Sequence, residues 1–316
     1  MFTYVLFIAG FYFLIKGADW LVDGASSVAK KFKVSNIVIG LTIVSFGTSA
    51  PELIVNLMAS FRGSSDLAVA NIVGSNIANI LLILGISAII FPLAVKHGTV
   101  FKEIPFSLLG VVILWFLAND MIVDKVGFNA LTRIDGVVLL SFFVIFLYYS
   151  FGMAKVEGEG EDIKEISNWL SIVMIIGGML SLALGGQWIV DGAIAIAVKL
   201  GMSEALIGLT IIAVGTSLPE LAASAVAAYK HKSDIAIGNV IGSNVFNVFW
   251  ILGVSSLIRP IVFSPILNFD IYFLVAITCF LFLFMFVGKK NLLQRWQGIF
   301  LIALYVIYII YLIIRG

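Results

Sequence analysis

The chain reads as an all-α membrane protein: ten transmembrane helices arranged as two inverted five-helix repeats, with broken helices where the repeats meet. Three observations predict this. Hydrophobic residues make up 61% of the chain and charged residues 12%, with a mean hydropathy of +1.14, whereas a soluble domain carries about 25% charged residues. Apolar runs of about 20 residues, enough to cross a hydrocarbon core of about 30 Å, alternate with short charged gaps. Finally, the chain repeats itself. Residues 40–85 (GLTIVSFGTSAPEL…SDLAVANIVGSNIAN…LG) and 208–253 (GLTIIAVGTSLPEL…SDIAIGNVIGSNVFN…LG) align without a gap at an offset of 168, with 22 of 46 positions identical.

The expected spans are 2–24, 37–59, 67–90, 104–119, 134–151, 169–192, 204–229, 235–257, 271–288 and 297–315. The first lacks a basic segment ahead of it and has a repeat partner in mid-chain, so it reads as a span and not a leader. The second carries GTSAPEL and the third GSNIAN. The fourth is short, and the fifth closes a first repeat over residues 1–151. Residues 152–168, which contain Gly-Glu-Gly-Glu-Asp, read as a solvated acidic connector without the spacing of an EF-hand loop. The sixth span opens the second repeat, 169–316, where Gln187-Trp-Ile-Val-Asp-Gly-Ala matches Asp19-Trp-Leu-Val-Asp-Gly-Ala. The seventh carries GTSLPEL and the eighth GSNVFN; the ninth and tenth complete the set. Five spans per copy is an odd number, so the second copy enters the membrane from the opposite side. An N-terminus outside puts twelve Lys and Arg in cytoplasmic loops against six outside, in keeping with the positive-inside rule.

Other classes find little support. No basic run suggests nucleic acid, Cys279 is the single cysteine, and no HExxH or GxSxG is present, so an enzyme and a thiol metal site are not expected. No cofactor is expected. Oligomeric state is left open, with a monomer compatible.

The chemistry concentrates on two acids. Glu52 and Glu220 each sit inside an apolar span, where an ionisable residue costs roughly 2.5–3.5 kcal/mol and marks an ion or substrate path. Pro51 and Pro219 remove a helical hydrogen bond, and with Gly47 and Gly215 they break each span. Backbone so freed survives at membrane depth only inside protein or against a polar cavity. Thr48 and Glu52 share a helix face with Ser49 beside them, and Thr216, Ser217 and Glu220 repeat the pattern. In the neighbouring spans Ser75 and Asn79 are four apart, as are Ser243 and Asn247. This all-oxygen set suits Na⁺, Ca²⁺ or Mg²⁺ and not zinc or copper. Plainer roles compete. Ser49-x-x-Glu52 and Ser217-x-x-Glu220 fit capping boxes. Gly74-Ser75 and Gly242-Ser243 fit close helix packing. Asn71, Asn76, Asn239 and Asn244 fit interhelical glue, Asp66 and Asp234 fit helix caps, and Asp19, Asp23 and Asp191 fit interfacial structure.

The paired GTSxPEL and GSNxxN motifs resemble the two α-repeats of the sodium/calcium exchanger family, within the cation/calcium exchanger superfamily, and the chain looks like a compact prokaryotic member. The resemblance implies an antiporter that exchanges Na⁺ for Ca²⁺ by alternating access in a prokaryotic cell (inner) membrane, with the lipid bilayer as its surroundings. Glu52 and Glu220 would hold the ions. Thr48, Ser49, Thr216, Ser217, Ser75, Ser243 and Asn79 would complete the sites, with Asn247 at a position that varies and the backbone oxygens of Ser45 and Ala213 also implied. In the potassium-dependent branch and some prokaryotic exchangers the position of Asn247 is Asp; an amide there argues against K⁺ co-transport. A proton/calcium exchanger is the nearest rival, and a cation channel with the acids as its filter is a more distant one.

Overall fold

The computed structural model describes residues 2–62, 65–123, 125, 127–152, 166–200 and 213–315. Among these, eight helices are long and apolar enough to cross a membrane, and a bent pair makes a ninth. In chain order they are α1 (Phe2–Phe32), the bent pair α2 (Asn36–Thr48) and α3 (Ala50–Arg62), α4 (Ala68–Ile90), α5 (Thr99–Ala118), α6 (Arg133–Gly152), α7 (Asn168–Lys199), α8 (Leu218–Tyr229), α9 (Ser233–Ile258), α10 (Pro265–Phe284) and α11 (Arg295–Arg315). The seventh expected span, 204–229, lies outside the described residues up to 212, as does most of the acidic connector.

Helix boundaries depart from expectation at the two long helices. α1 runs to Phe32 where 24 was expected, and α7 runs over 168–199 where 169–192 was expected. At 1.5 Å per residue, 31 residues reach about 46 Å, more than the hydrocarbon core. Counting apolar residues finds the membrane segment and misses the solvated last turns, where Lys30, Lys31 and Lys199 sit. The short fourth span likewise gains an amino-terminal turn, Thr99–Glu103, wound as a π-helix.

α1 and α7 pack antiparallel along a line of small residues. A Cβ on Gly10 would lie 2.8 Å from the Gly185 carbonyl, one on Gly17 2.9 Å from that of Gly178, and one on Gly24 2.9 Å from that of Ser171. The sequence positions rise by seven on one helix and fall by seven on the other, so backbones meet where side chains are absent. Met179 and Val190 of α7 lie over Gly47 and Gly215, at the two breaks. At the centre, α4 and α9 are buried along most of their length. Gly238 and Gly242 of α9 let α2 approach so closely that a Cβ would meet the backbone of Gly40 and Leu41.

Two small antiparallel ladders tie loops of the two halves. Leu93–Ala94 pairs with Leu292–Leu293, and Ala130–Leu131 with Ile261–Val262.

Candidate functional site: two glutamates at paired helix breaks

The break expected at Pro51 is present. α2 and α3 meet at an angle of 48°, with Ser49 at φ −83°, ψ 7° between them. Ser217 takes φ −86°, ψ 6° at the start of α8. Each glutamate thus falls in the first turn of the helix that follows the break.

Both Glu52 and Glu220 are 1% exposed. The halves exchange hydrogen bonds across the site. Ser49 donates to Oε1 of Glu220 at 2.8 Å, and Ser217 donates to Oε1 of Glu52 at 3.5 Å. Ser217 also contacts the Ser75 hydroxyl at 3.4 Å. These bonds answer the capping-box alternative: the Ser217 side chain makes no cap bond, and the Ser49 hydroxyl is spent on the opposite glutamate. The second oxygens, Oε2 of Glu52 and Oε2 of Glu220, have no hydrogen-bond partner among the described residues, nor do the hydroxyls of Thr216 and Ser243. Thr216 borders Glu52, and Thr48 and Ser243 border Glu220.

The asparagines divide into holders and held. Asn79 donates through its amide nitrogen to Oδ1 of Asn244 at 2.9 Å, and Asn247 donates to Oδ1 of Asn76 at the same distance. The two bonds are equivalent under the 168-residue offset. Each turns an amide nitrogen away and leaves an unpartnered, buried Oδ1, on Asn79 and on Asn247. Each amide lies at the start of a π-helical segment, Asn79–Ile83 in α4 and Phe246–Ile251 in α9, and such widened turns recur at functional sites. Asn76 and Asn244 therefore act as the glue the sequence suggested, with the added task of orienting Asn79 and Asn247. Asn239 accepts from Thr48 at 3.0 Å and donates to the Glu220 carbonyl at 3.3 Å and to Ser224 at 2.9 Å.

The two backbone candidates differ. The Ser45 carbonyl accepts from the Ser49 amide at 2.9 Å and from the Thr48 hydroxyl at 3.4 Å. In the second half the Ser217 amide turns to the Val214 carbonyl at 3.2 Å, so it does not claim the carbonyl of Ala213. The turn at the break is tighter there than in the first half.

Among the flanking acids, Asp234 is no cap: it lies inside the first turn of α9 and pairs with Lys96 at 2.6 Å, while the N-cap position is Lys232. The side chain of Asp66 lies outside the described residues. Asp19 and Asp23 pair with Lys230 at 2.6 and 2.8 Å, as interfacial structure requires. Sequence reasoning passed over Asn56, whose amide donates to the Glu52 carbonyl at 3.1 Å; its position one turn after the glutamate was the available signal.

Among the described residues no Lys, Arg or His pairs with Glu52 or Glu220, and no three His, Cys, Asp or Glu cluster as a metal site. Two carboxylates thus lie buried with only neutral oxygen-bearing neighbours. Charges so placed are costly unless paired. An arriving cation would supply the missing charge, and the unpartnered oxygens would take the place of its water.

Known proteins resemble this chain over nearly its whole length. The family profile described as sodium/calcium exchanger protein matches residues 2–152 and 170–314. The sodium/calcium exchanger MaX1 of Methanosarcina acetivorans is 32% identical, over 98% of each chain. A structure of the sodium-calcium exchanger NCX_Mj soaked with Na⁺ and Ca²⁺ superposes with a TM-score of 0.82 at 36% identity, over 98% of each chain. The Ca²⁺/H⁺ antiporter ChaA of Bacillus subtilis is more distant, 26% identical over 85% of this chain and 81% of its own length. With glutamates at paired helix breaks and a profile spanning nearly the whole sequence, the chain is an integral membrane protein that belongs to the sodium/calcium exchanger family.

Proposed function

We propose that the protein is a secondary antiporter exchanging Na⁺ for Ca²⁺ across a prokaryotic cell membrane by alternating access. The observation that carries the reading is the set of buried oxygens without a hydrogen-bond partner among the described residues: Oε2 of Glu52 and Glu220, Oδ1 of Asn79 and Asn247, and the hydroxyls of Thr216 and Ser243. With the hydroxyls of Thr48, Ser49, Ser75 and Ser217 and the carbonyls of Ser45 and Ala213, they offer the hard oxygen ligands that Ca²⁺ takes about 6–8 of. Two carboxylates balance one divalent ion. Na⁺ would use the neutral oxygens as well, so the two ions compete for overlapping ligands. Filling the site neutralises the acids and permits the change of access; an empty, doubly charged site resists it, which couples the fluxes.

Ten spans in two inverted repeats fit the loop ladders. Paired loops lie on the same side of the membrane, so the chain between them crosses an even number of times. Between Ala94 and Leu292 the described spans are α5, α6, α7, α9 and α10, an odd number, which supports the seventh expected span, 204–229, as a further crossing. The Ala130–Val262 ladder and the Lys96–Asp234 ion pair support it in the same way. The basic loops then place the N-terminus outside.

The test is ⁴⁵Ca²⁺ uptake into proteoliposomes. An outward Na⁺ gradient should drive uptake without K⁺ and with pH clamped by an ionophore. Asn247 supplies no proton-carrying or K⁺-branch carboxylate, which favours Na⁺ as the driving ion. Uptake that follows a pH gradient and ignores Na⁺ would overturn this in favour of Ca²⁺/H⁺ exchange. Flux that needs no counter-ion would point to a channel.

A further inference from the structure

The two halves match in their ion-facing residues and differ in the turns that lead away from them. On α3, Glu52, Asn56 and Ser60 are spaced by four, so they form one stripe from the site toward the end of the helix. Asn56 is 0% exposed and Ser60 4% exposed, yet Oδ1 of Asn56 and the Ser60 hydroxyl have no hydrogen-bond partner among the described residues. The corresponding positions on α8 are Glu220, Ser224 and Ala228. There Ser224 accepts from Asn239 at 2.9 Å and donates to the Ala236 carbonyl at 3.4 Å, Asn239 also reaches the Glu220 carbonyl, and Ala228 is buried and apolar. Beyond it, Lys230 is held by Asp19 and Asp23. Among the described residues, one half therefore presents buried polar oxygens without partners, and the other closes the same run with internal hydrogen bonds and a methyl group.

Buried polar groups without partners are unfavourable unless something polar visits them. A cation moving between bulk water and the glutamates needs successive oxygens to replace the water it sheds, and Asn56 and Ser60 stand at the right interval to provide them. We propose that Asn56 and Ser60 form an access lane serving one membrane face only: the face where α3 ends, which is the outside under the proposed orientation. The proposal rests on the cation-exchange reading above. A lane changes how fast ions reach the site and leave it, not how tightly the site holds them.

The double variant Asn56→Ser, Ser60→Ala gives the first half the residues of the second, and both are reductions in size. In vesicles of uniform orientation, kcat/KM for Ca²⁺ offered at the face where α3 ends should fall five- to tenfold. The value for Ca²⁺ offered at the opposite face should stay within twofold. Equilibrium binding of ⁴⁵Ca²⁺ to detergent-solubilised protein should also stay within twofold. The reverse variant, Ser224→Asn with Ala228→Ser, should raise kcat/KM at the opposite face. A matching loss at both faces, a parallel loss of equilibrium binding, or no change at either face would overturn the lane. If the unmodified protein exchanged no Ca²⁺ at all, the functional reading would fall and the lane with it.

Discussion

At the scale of single residues the site is built from groups kept from finishing their hydrogen bonds. A carboxylate with one oxygen bonded to a serine and the other unpartnered is unfavourable by itself, since a buried unsatisfied group costs about 1–3 kcal/mol and more when charged. Glu52→Gln and Glu220→Gln keep the shape and remove one charge each. Each should abolish Na⁺-dependent ⁴⁵Ca²⁺ exchange while the protein still inserts and purifies; near-normal exchange in both would reduce the carboxylates to structural groups. The holders should matter too. Asn244 accepts from Asn79 and so aims the Asn79 oxygen. Asn244→Leu keeps the branched shape but removes the acceptor, leaving Asn79 free to turn. Ca²⁺ binding should weaken about tenfold, which is about 1.4 kcal/mol, with a smaller effect on thermal stability. An unchanged Ca²⁺ isotherm would show that the orientation of Asn79 is irrelevant.

At the scale of elements, the broken helices and the glycine-lined pair α1–α7 carry the architecture. Sequence made the breaks legible because proline and glycine act locally: Pro51 and Pro219 disrupt a helix whatever packs against it. The glutamates were legible because an acid in an apolar run has few explanations. What sequence did not reveal depends on contacts between segments far apart. The donation from Ser49 to Glu220 spans 171 positions, and the pairing of Asp234 with Lys96 spans 138; neither leaves a local pattern. The asymmetry at Asn56 escaped for a related reason, because attention fell on positions where the repeats agree. The α1–α7 contact yields its own prediction. A side chain at Gly178 would meet the Gly17 carbonyl and the Leu21 backbone, and overpacking of this kind costs about 1–3 kcal/mol. Gly178→Leu should lower the melting temperature in detergent by several degrees, and Gly152→Leu, where a Cβ has nothing within 4 Å, should not. Equal melting of both variants would mean that the close approach of the two helices contributes nothing to stability.

At the scale of the whole molecule the decisive question is on which side each half presents its loops. The loop between the fourth and fifth spans holds Lys125 in the first half, and its counterpart in the second half, between α10 and α11, holds Lys289; both are exposed. If the halves were related by simple translation, with an even number of crossings in each, these equivalent loops would share a side. If they are inverted, they lie on opposite sides. The ladders argue for inversion, since Ala130–Leu131 pairs with Ile261–Val262 while Leu93–Ala94 pairs with Leu292–Leu293. One ladder gathers loops at one end of the helices and the other at the other end. Cys279 is the single native cysteine, so its replacement by serine gives a clean background for a cysteine at Lys125 or Lys289. In intact cells an impermeant thiol reagent should label the first directly and the second only after the membrane is opened. Labelling of both from outside would remove the inverted arrangement, and with it the opposed paths that alternating access at Glu52 and Glu220 requires. Labelling of Lys289 alone from outside would keep the inversion and reverse the orientation, so that the lane at Asn56 and Ser60 would face the cytoplasm.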